Sequence, residues 1–234
     1  MKIEALPDAD SVARAGAAFT AAAARAAVDA RGRFIMAVSG GRTPWKMLSA
    51  LADEPMPWAD VHVVQVDERV APDGDPDRNL THLRESLLAH CPLVPEQVHA
   101  MPVEWPDLEA ACERYALTLR EIAGSPAVVD LAHLGLGPDG HTASLVPGDP
   151  VLNITADVAF TAIYQGRRRM TLTYPLLNRS RLILWLVTGH EKTDMLLRLR
   201  DGDRSIPAGR ISRQQSVVLA DEAASARLVR SVRL

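Results

Sequence analysis

Apolar residues are distributed along the chain in two patterns. Short dense runs suit buried strands, and longer stretches with an apolar residue every three or four positions suit helices packed on one face. Asp8 to Arg31 is Ala-rich and ends at Gly32, which predicts a long helix. Phe34–Val38 predicts a strand, and Thr43 and Pro44 then read as the cap and first residue of a helix. Val61 to Val66 predicts the next strand, Leu80 to Leu88 a helix and Gln97 to Met101 a weak edge strand. Asp107 to Ala123 predicts a helix with Leu108, Ala111, Tyr115, Leu119 and Ile122 on one face, followed by a strand from Val128 to Leu134. Val158 to Ile163 and Met170 to Tyr174 alternate like strands, broken by Gln165 to Arg169 and ended by Pro175. Leu182–Val187 is the last strong strand. A helix to about Leu199, a short strand Ser216 to Leu219 and a terminal helix from Asp221 follow. Strands alternating with helices predict an α/β fold, Rossmann-like, with a doubly wound, mostly parallel sheet and helices on both faces. No linker interrupts the pattern, so one domain over residues 1–234 is expected.

Composition narrows the setting. Apolar residues make up 47% of the chain and aromatics 4%, so the core must be built from Ala, Val, Leu and Ile. A net charge of −3 argues against nucleic-acid or membrane-surface binding. The first eight residues lack the basic and apolar blocks of a signal peptide, and the run Leu182–Val187 is far short of the ~20 residues a membrane span needs. Cys91 and Cys112 have no metal-type spacing, which suits reduced thiols and no metal site. A cytoplasmic protein is expected; nothing fixes its oligomeric state, and a monomer is favoured.

Chemistry concentrates where predicted strands end. After Val38 come Ser39, Gly40, Gly41, Arg42 and Thr43. A Gly-rich loop entering a helix N-terminus is a ready anion site, though an ordinary tight turn has the same residues. Asp67-Glu68-Arg69 follows another strand and must face a crevice, be paired or be solvated; the Pro/Asp/Gly loop Val70 to Asn79 after it is long for its position. After Leu134, Gly137, Asp139, Gly140 and His141 place an acid and a base on a loop of glycines, a candidate site or a tight turn. Lys192, one of three lysines among 26 basic residues, sits at a helix start, where a cation is unfavourable without an anion. His133, within a strand, reads as a core residue. Arg167-Arg168-Arg169 is either a solvated turn or one wall of an anionic site. Together these suggest an enzyme acting on a small phosphorylated substrate.

Five segments carry a family resemblance: Ser39-Gly40-Gly41-x-Thr43-Pro44, Asp67-Glu68-Arg69, Gly135-x-Gly137-x-Asp139-Gly140-His141-x-Ala143-Ser144-Leu145, Arg169-x-Thr171-Leu172-Thr173 and Gly189-x-x-Lys192. In this order and spacing the chain resembles 6-phosphogluconolactonases, whose fold is shared with glucosamine-6-phosphate deaminases. The resemblance implies hydrolysis of 6-phospho-glucono-1,5-lactone in the oxidative pentose phosphate pathway, with no required organic cofactor. His141 becomes the expected general base, and Asp139 holds the loop or a neighbouring polar group. Arg69 serves the oxyanion or the substrate. The 39–43 loop, Arg169 and Lys192 grip the phosphate, Asp67 binds substrate, and Gly137 and Gly140 turn backbone N–H groups toward it. The deaminase pattern has Asp-Glu-Tyr at 67–69 and a Glu at position 146, where this chain has Val146. A sugar-phosphate sensor is the non-catalytic alternative. Val146 replaces the lactonases' usual Phe, and Arg78-Asn79 their usual Ser-Asn.

Overall fold

The segment Phe34–Val38 is buried at every position, and successive side chains enter opposite cores. Phe34, Met36 and Val38 join one cluster, Ile35 and Ala37 the other. A strand buried on both faces needs covering layers on both, and the computed structural model, which describes residues 1–228, supplies them.

In chain order the elements are β1 (Lys2–Leu6), α1 (Ala9–Arg31), β2 (Phe34–Val38), α2 (Arg42–Ala52), β3 (Val61–Gln65) and β4 (Asp67–Arg69). Next come α3 (Asn79–Ser86), β5 (Val98–His99), α4 (Leu108–Ala123), β6 (Leu131–Gly135), β7 (Val158–Phe160), β8 (Arg169–Leu172) and α5 (Tyr174–Arg179). The last are β9 (Leu182–Val187), α6 (Thr193–Asp201), β10 (Ser216–Asp221) and α7 (Glu222–Ser225). Seven strands pair in the order β1-β10-β9-β6-β2-β3-β5, every pair parallel. On one face lie α1, α2 and α3; on the other α4, α5, α6 and the strand β8. This is the doubly wound arrangement expected from the alternation.

Helix α1 begins at Asp8, whose carboxylate accepts the Ser11 N–H at 2.7 Å, and ends at Gly32 in the left-handed region. Its buried stripe runs Val12, Ala13, Gly16, Ala17, Thr20, Ala21, Ala24 and Ala27. These small residues bring the helix close to the sheet: a Cβ on Gly16 would stand 3.0 Å from both Leu186 and Met47.

Several expectations require correction. Lys2–Leu6 is an edge strand paired with β10, unannounced because only two of its five positions are even half-buried. Asp67-Glu68-Arg69 is no loop: it forms β4 of a second, antiparallel sheet ordered β4-β8-β7. Helix α2 starts two residues early because Gly41, at φ 124°, caps it. Pro44 then falls third in the helix, still within the first turn, where no N–H bond is lost. Strand β6 starts at Leu131, because the Asp130 carboxylate turns back to accept the Ile35 N–H at 2.9 Å. Tyr174, expected to close a strand, instead opens the short helix α5, with Pro175 second in it. Gln165 and Gly166, both with positive φ, make the two-residue turn of a hairpin closed between Tyr164 and Arg167. The terminal helix spans Glu222–Ser225, and its expected extension past residue 228 lies outside the described residues.

Candidate active site

Strand β2 leads away to β3 on one side, while β6 leads to β9 on the other, so the sheet switches direction between β2 and β6. Ligands bind at the carboxyl ends of strands at such a switch point. A cleft of about 650 Å³ opens there. It is lined by Ser39 to Thr43, Asp67, Arg69, Gly137, His141, Arg169 and Lys192, with Asn79 between them. Asp139 and Gly140 lie behind this wall.

The 137–141 loop folds back on itself. Gly137 N–H donates to the His141 carbonyl at 2.8 Å, and Gly140 N–H to the Gly137 carbonyl at 3.0 Å. Both N–H groups are therefore consumed within the loop, and neither faces the cleft as expected. Gly140, at φ 82°, makes the return possible. The return brings Asp139 Oδ1 within 2.5 Å of His141 Nδ1 and 3.1 Å of its backbone N–H. Asp139 thus grips the imidazole itself, not merely the loop. A carboxylate only accepts, so in the neutral ring Nδ1 is the nitrogen that carries the proton and Nε2 the one with the lone pair. Burial pushes the Asp139 carboxyl up, but the His141 N–H and ring outweigh it and hold it below its ordinary value. With the ring in this place only glycine fits at 137: a Cβ would stand 2.1 Å from His141 Nδ1.

Strand alternation sorts the 67–69 segment. Asp67 and Arg69 face the cleft, as does Arg169, the register partner of Arg69, and Glu68 turns into the interior, 0% exposed. There Glu68 accepts from Gln65 Nε2 and from the N–H groups of Arg69, Asn79 and Leu80, capping α3. Asn79, fixed this way, donates to the Asp67 carbonyl at 2.9 Å and accepts from Arg69 at 2.8 Å. Gly40 passes directly over it, since a Cβ there would meet Asn79 Oδ1 at 1.9 Å. Asp67 Oδ2 accepts the Ser144 hydroxyl at 2.6 Å, tying β4 to the segment after His141.

Cations crowd this face. Arg69 and Arg169 stand opposite each other across β4 and β8, and the Nε of each is buried with no hydrogen-bond partner among the described residues. Burial and the Arg69 charge lower the pKa of Arg169, and burial lowers that of half-buried Lys192. Arg42 is exposed at the rim. Ser39 is differently employed: its hydroxyl donates to the His133 carbonyl at 2.8 Å, so it holds β2 to β6 instead of donating into the cleft. Thr43 shares a 2.7 Å hydrogen bond with Thr188, joining the loops after β2 and β9. His133 is a core residue, 0% exposed, as its place in a strand suggests. Glu68 and Asn79 fall within segments of the family resemblance, but no role for either was legible there, and Tyr164 carries no sequence signal; their places depend on the second sheet and on α3.

Residues 7–220 match the family model described as glucosamine-6-phosphate isomerases/6-phosphogluconolactonase. The 6-phosphogluconolactonase of Mycobacterium tuberculosis is 37% identical over 242 residues, covering 97% of this chain and 98% of that protein. The crystal structure of the Thermotoga maritima 6-phosphogluconolactonase superposes with a TM-score of 0.82 at 28% identity, covering 94% of this chain and 98% of that one. A monomeric glucosamine-6-phosphate deaminase shares the fold at 19% identity, with a TM-score of 0.84 and coverage of 97% and 99%. The chain belongs to the glucosamine-6-phosphate isomerase/6-phosphogluconolactonase family.

Proposed function

We propose that this chain hydrolyses 6-phospho-D-glucono-1,5-lactone to 6-phospho-D-gluconate, the second step of the oxidative pentose phosphate pathway. One observation carries the reading: an imidazole backed by a carboxylate faces a cleft walled by Arg69, Arg169 and Lys192 at the mouth of helix α2. The base suits an ester-type carbonyl, and the cations suit a phosphate dianion.

In this reading His141 Nε2 takes a proton from water as its oxygen bonds to the lactone C1. The carbonyl electrons move onto the exocyclic oxygen, where the guanidinium of Arg69, in the cleft wall, donates a hydrogen bond. Collapse of the tetrahedral intermediate breaks the bond from C1 to the ring oxygen, which receives the proton back from His141. Arg169, Lys192 and the α2 entry loop hold the 6-phosphate, fixing C1 over the imidazole. Asp139 keeps Nδ1 protonated throughout.

Deamination would require a carboxylate at position 146, and Val146 is apolar and 5% exposed. Two assays on the purified protein test the choice. One follows acid release from fresh 6-phosphogluconolactone above the spontaneous rate, and the other follows ammonia from glucosamine 6-phosphate. Activity in the first alone is expected. Ammonia release alone would assign deamination, and silence in both would leave a sugar-phosphate sensor.

A further inference from the structure

Tyr164 lies on the β7–β8 hairpin, outside every motif that marks the site. Its position is well fixed. The hairpin closes through reciprocal backbone bonds between Tyr164 and Arg167, at 3.0 and 3.3 Å. Arg167 then straps the hairpin to the loop before α3, with Nη2 3.1 Å from Asp75 and Nε 3.0 Å from Asp77. The phenol reaches the carboxylate behind His141: its hydroxyl donates to Asp139 Oδ2 at 3.3 Å, while Oδ1 holds the imidazole at 2.5 Å. The ring meets the His141 ring edge-on, with centroids 5.9 Å apart. The Arg169 guanidinium sits 4.9 Å from the tyrosine ring centroid and donates to Gln165 at 2.9 Å.

We propose that Tyr164 is a positioning residue for the hydrolysis, its hydroxyl fixing Asp139 so that the carboxylate presents His141 Nε2 to the cleft. This rests on the reading of His141 as the base. A carboxylate with one oxygen anchored cannot rotate away from the imidazole, and a buttressed base stays in reach of its water. The hydroxyl also withdraws charge from Asp139. Its loss leaves more negative charge facing the imidazole and favours the protonated ring.

Tyr164→Phe isolates the hydroxyl, because the ring contacts to His141 and Arg169 remain. The other charged groups that line the cleft with His141 also stay in place: Arg169 from β8, Arg69 from β4, and Glu191 and Lys192 from the turn after β9, of which Lys192 feels the Asp139 charge. The variant is expected to lose about three- to tenfold in kcat with KM nearly unchanged, the scale of one hydrogen bond. The acid limb of kcat/KM against pH is expected to move to higher pH. In an Asp139→Asn background the same substitution is expected to have no effect, because Tyr164 acts through that carboxylate. An unchanged kcat and acid limb in Tyr164→Phe, or an equal loss in both backgrounds, overturns the proposal. His141→Ala separates the two levels. If it keeps turnover, the base reading fails; if it is inactive while Tyr164→Phe is silent, only the positioning role fails.

Discussion

The Gly137→Ala variant should lose about a hundredfold in kcat while remaining folded. The added Cβ would stand 2.1 Å from His141 Nδ1, 2.3 Å from Cε1 and 2.6 Å from Cγ, whereas ordinary contact begins at 3.4 Å. The ring must therefore retreat by roughly 1.3 Å, and the atom most displaced is the one bonded to Asp139. A misplacement of about 1 Å costs on the order of 10²-fold, or about 2.7 kcal/mol of barrier. Stability should suffer much less. Gly137 does not occupy the left-handed region, and the His141 side chain, 23% exposed, can swing toward the cleft. Losing its hydrogen bond costs about 1 kcal/mol, or about 2–4 °C in Tm for a chain of this length. Initial rates by pH-stat and a thermal melt measure the two effects. A kcat within threefold of the parent would refute the placement of the ring. A Tm lowered by more than ~10 °C would show that the loop, not the ring, takes up the clash.

Glu68→Gln should destabilise by about 3 kcal/mol in urea, because it strips the buried charge partner from Arg78, itself 2% exposed, with Nε 3.1 Å from Glu68, and leaves it only the exposed Glu104 at 3.5 Å; a loss under ~1 kcal/mol would mean the pair is not buried as described. Burial lowers the pKa of His133 to about 4 from its usual 6.5, so the unfolded chain binds the extra proton between these values and stability rises with pH across that window. The parent should lose about 3 kcal/mol more than His133→Met between pH 7 and pH 4 in paired denaturation curves, and parallel curves would contradict it. Lys192→Ala should raise KM for the 6-phosphorylated lactone about tenfold or more and leave the unphosphorylated lactone unaffected. Equal losses on both substrates would remove Lys192 from the phosphate.

The central strands were legible because burial on both faces demands dense apolar runs, and Phe34–Val38 and Leu182–Val187 match prediction residue for residue. The helix ends at Asp8, Gly32 and Asp107 were legible for a local reason, since each end is set within one turn of chain. Strand β4 was not, because three charged residues form a strand only when β8 pairs with them from a hundred positions away. The cap of α2 was misplaced for the opposite reason. Thr43 is the better side-chain cap, but Gly41 can take φ 124°, and the hydroxyl is freed to reach Thr188. The contact between Asp139 and His141 was invisible too. Two residues apart in sequence, they meet only because Gly140 reverses the loop between them.

The second sheet gives the cleft its chemical character. Arg69 and Arg169 face each other on one side of an antiparallel pair, an arrangement that like charges destabilise. Acceptors around them relieve part of this: Asn79 and the Asp77 carbonyl take Arg69 Nη1, and Gln165 takes Arg169 Nη2. Each Nε is buried and without a hydrogen bond among the described residues, and the Asp67 carboxylate on that face is held by Ser144. The protein's own acceptors thus fix the guanidinium planes without saturating them. That is the condition for preorganised anion binding: donors held in place before the ligand arrives, with capacity unspent. Strand β4 follows β3 after one residue, and Asn79 locks it beneath Gly40, so these arginines are registered against both the α2 entry loop and the loop that carries His141. In the proposed reaction a substrate with a phosphate at one end and a carbonyl at the other would meet two sets of donors whose separation the fold has already set.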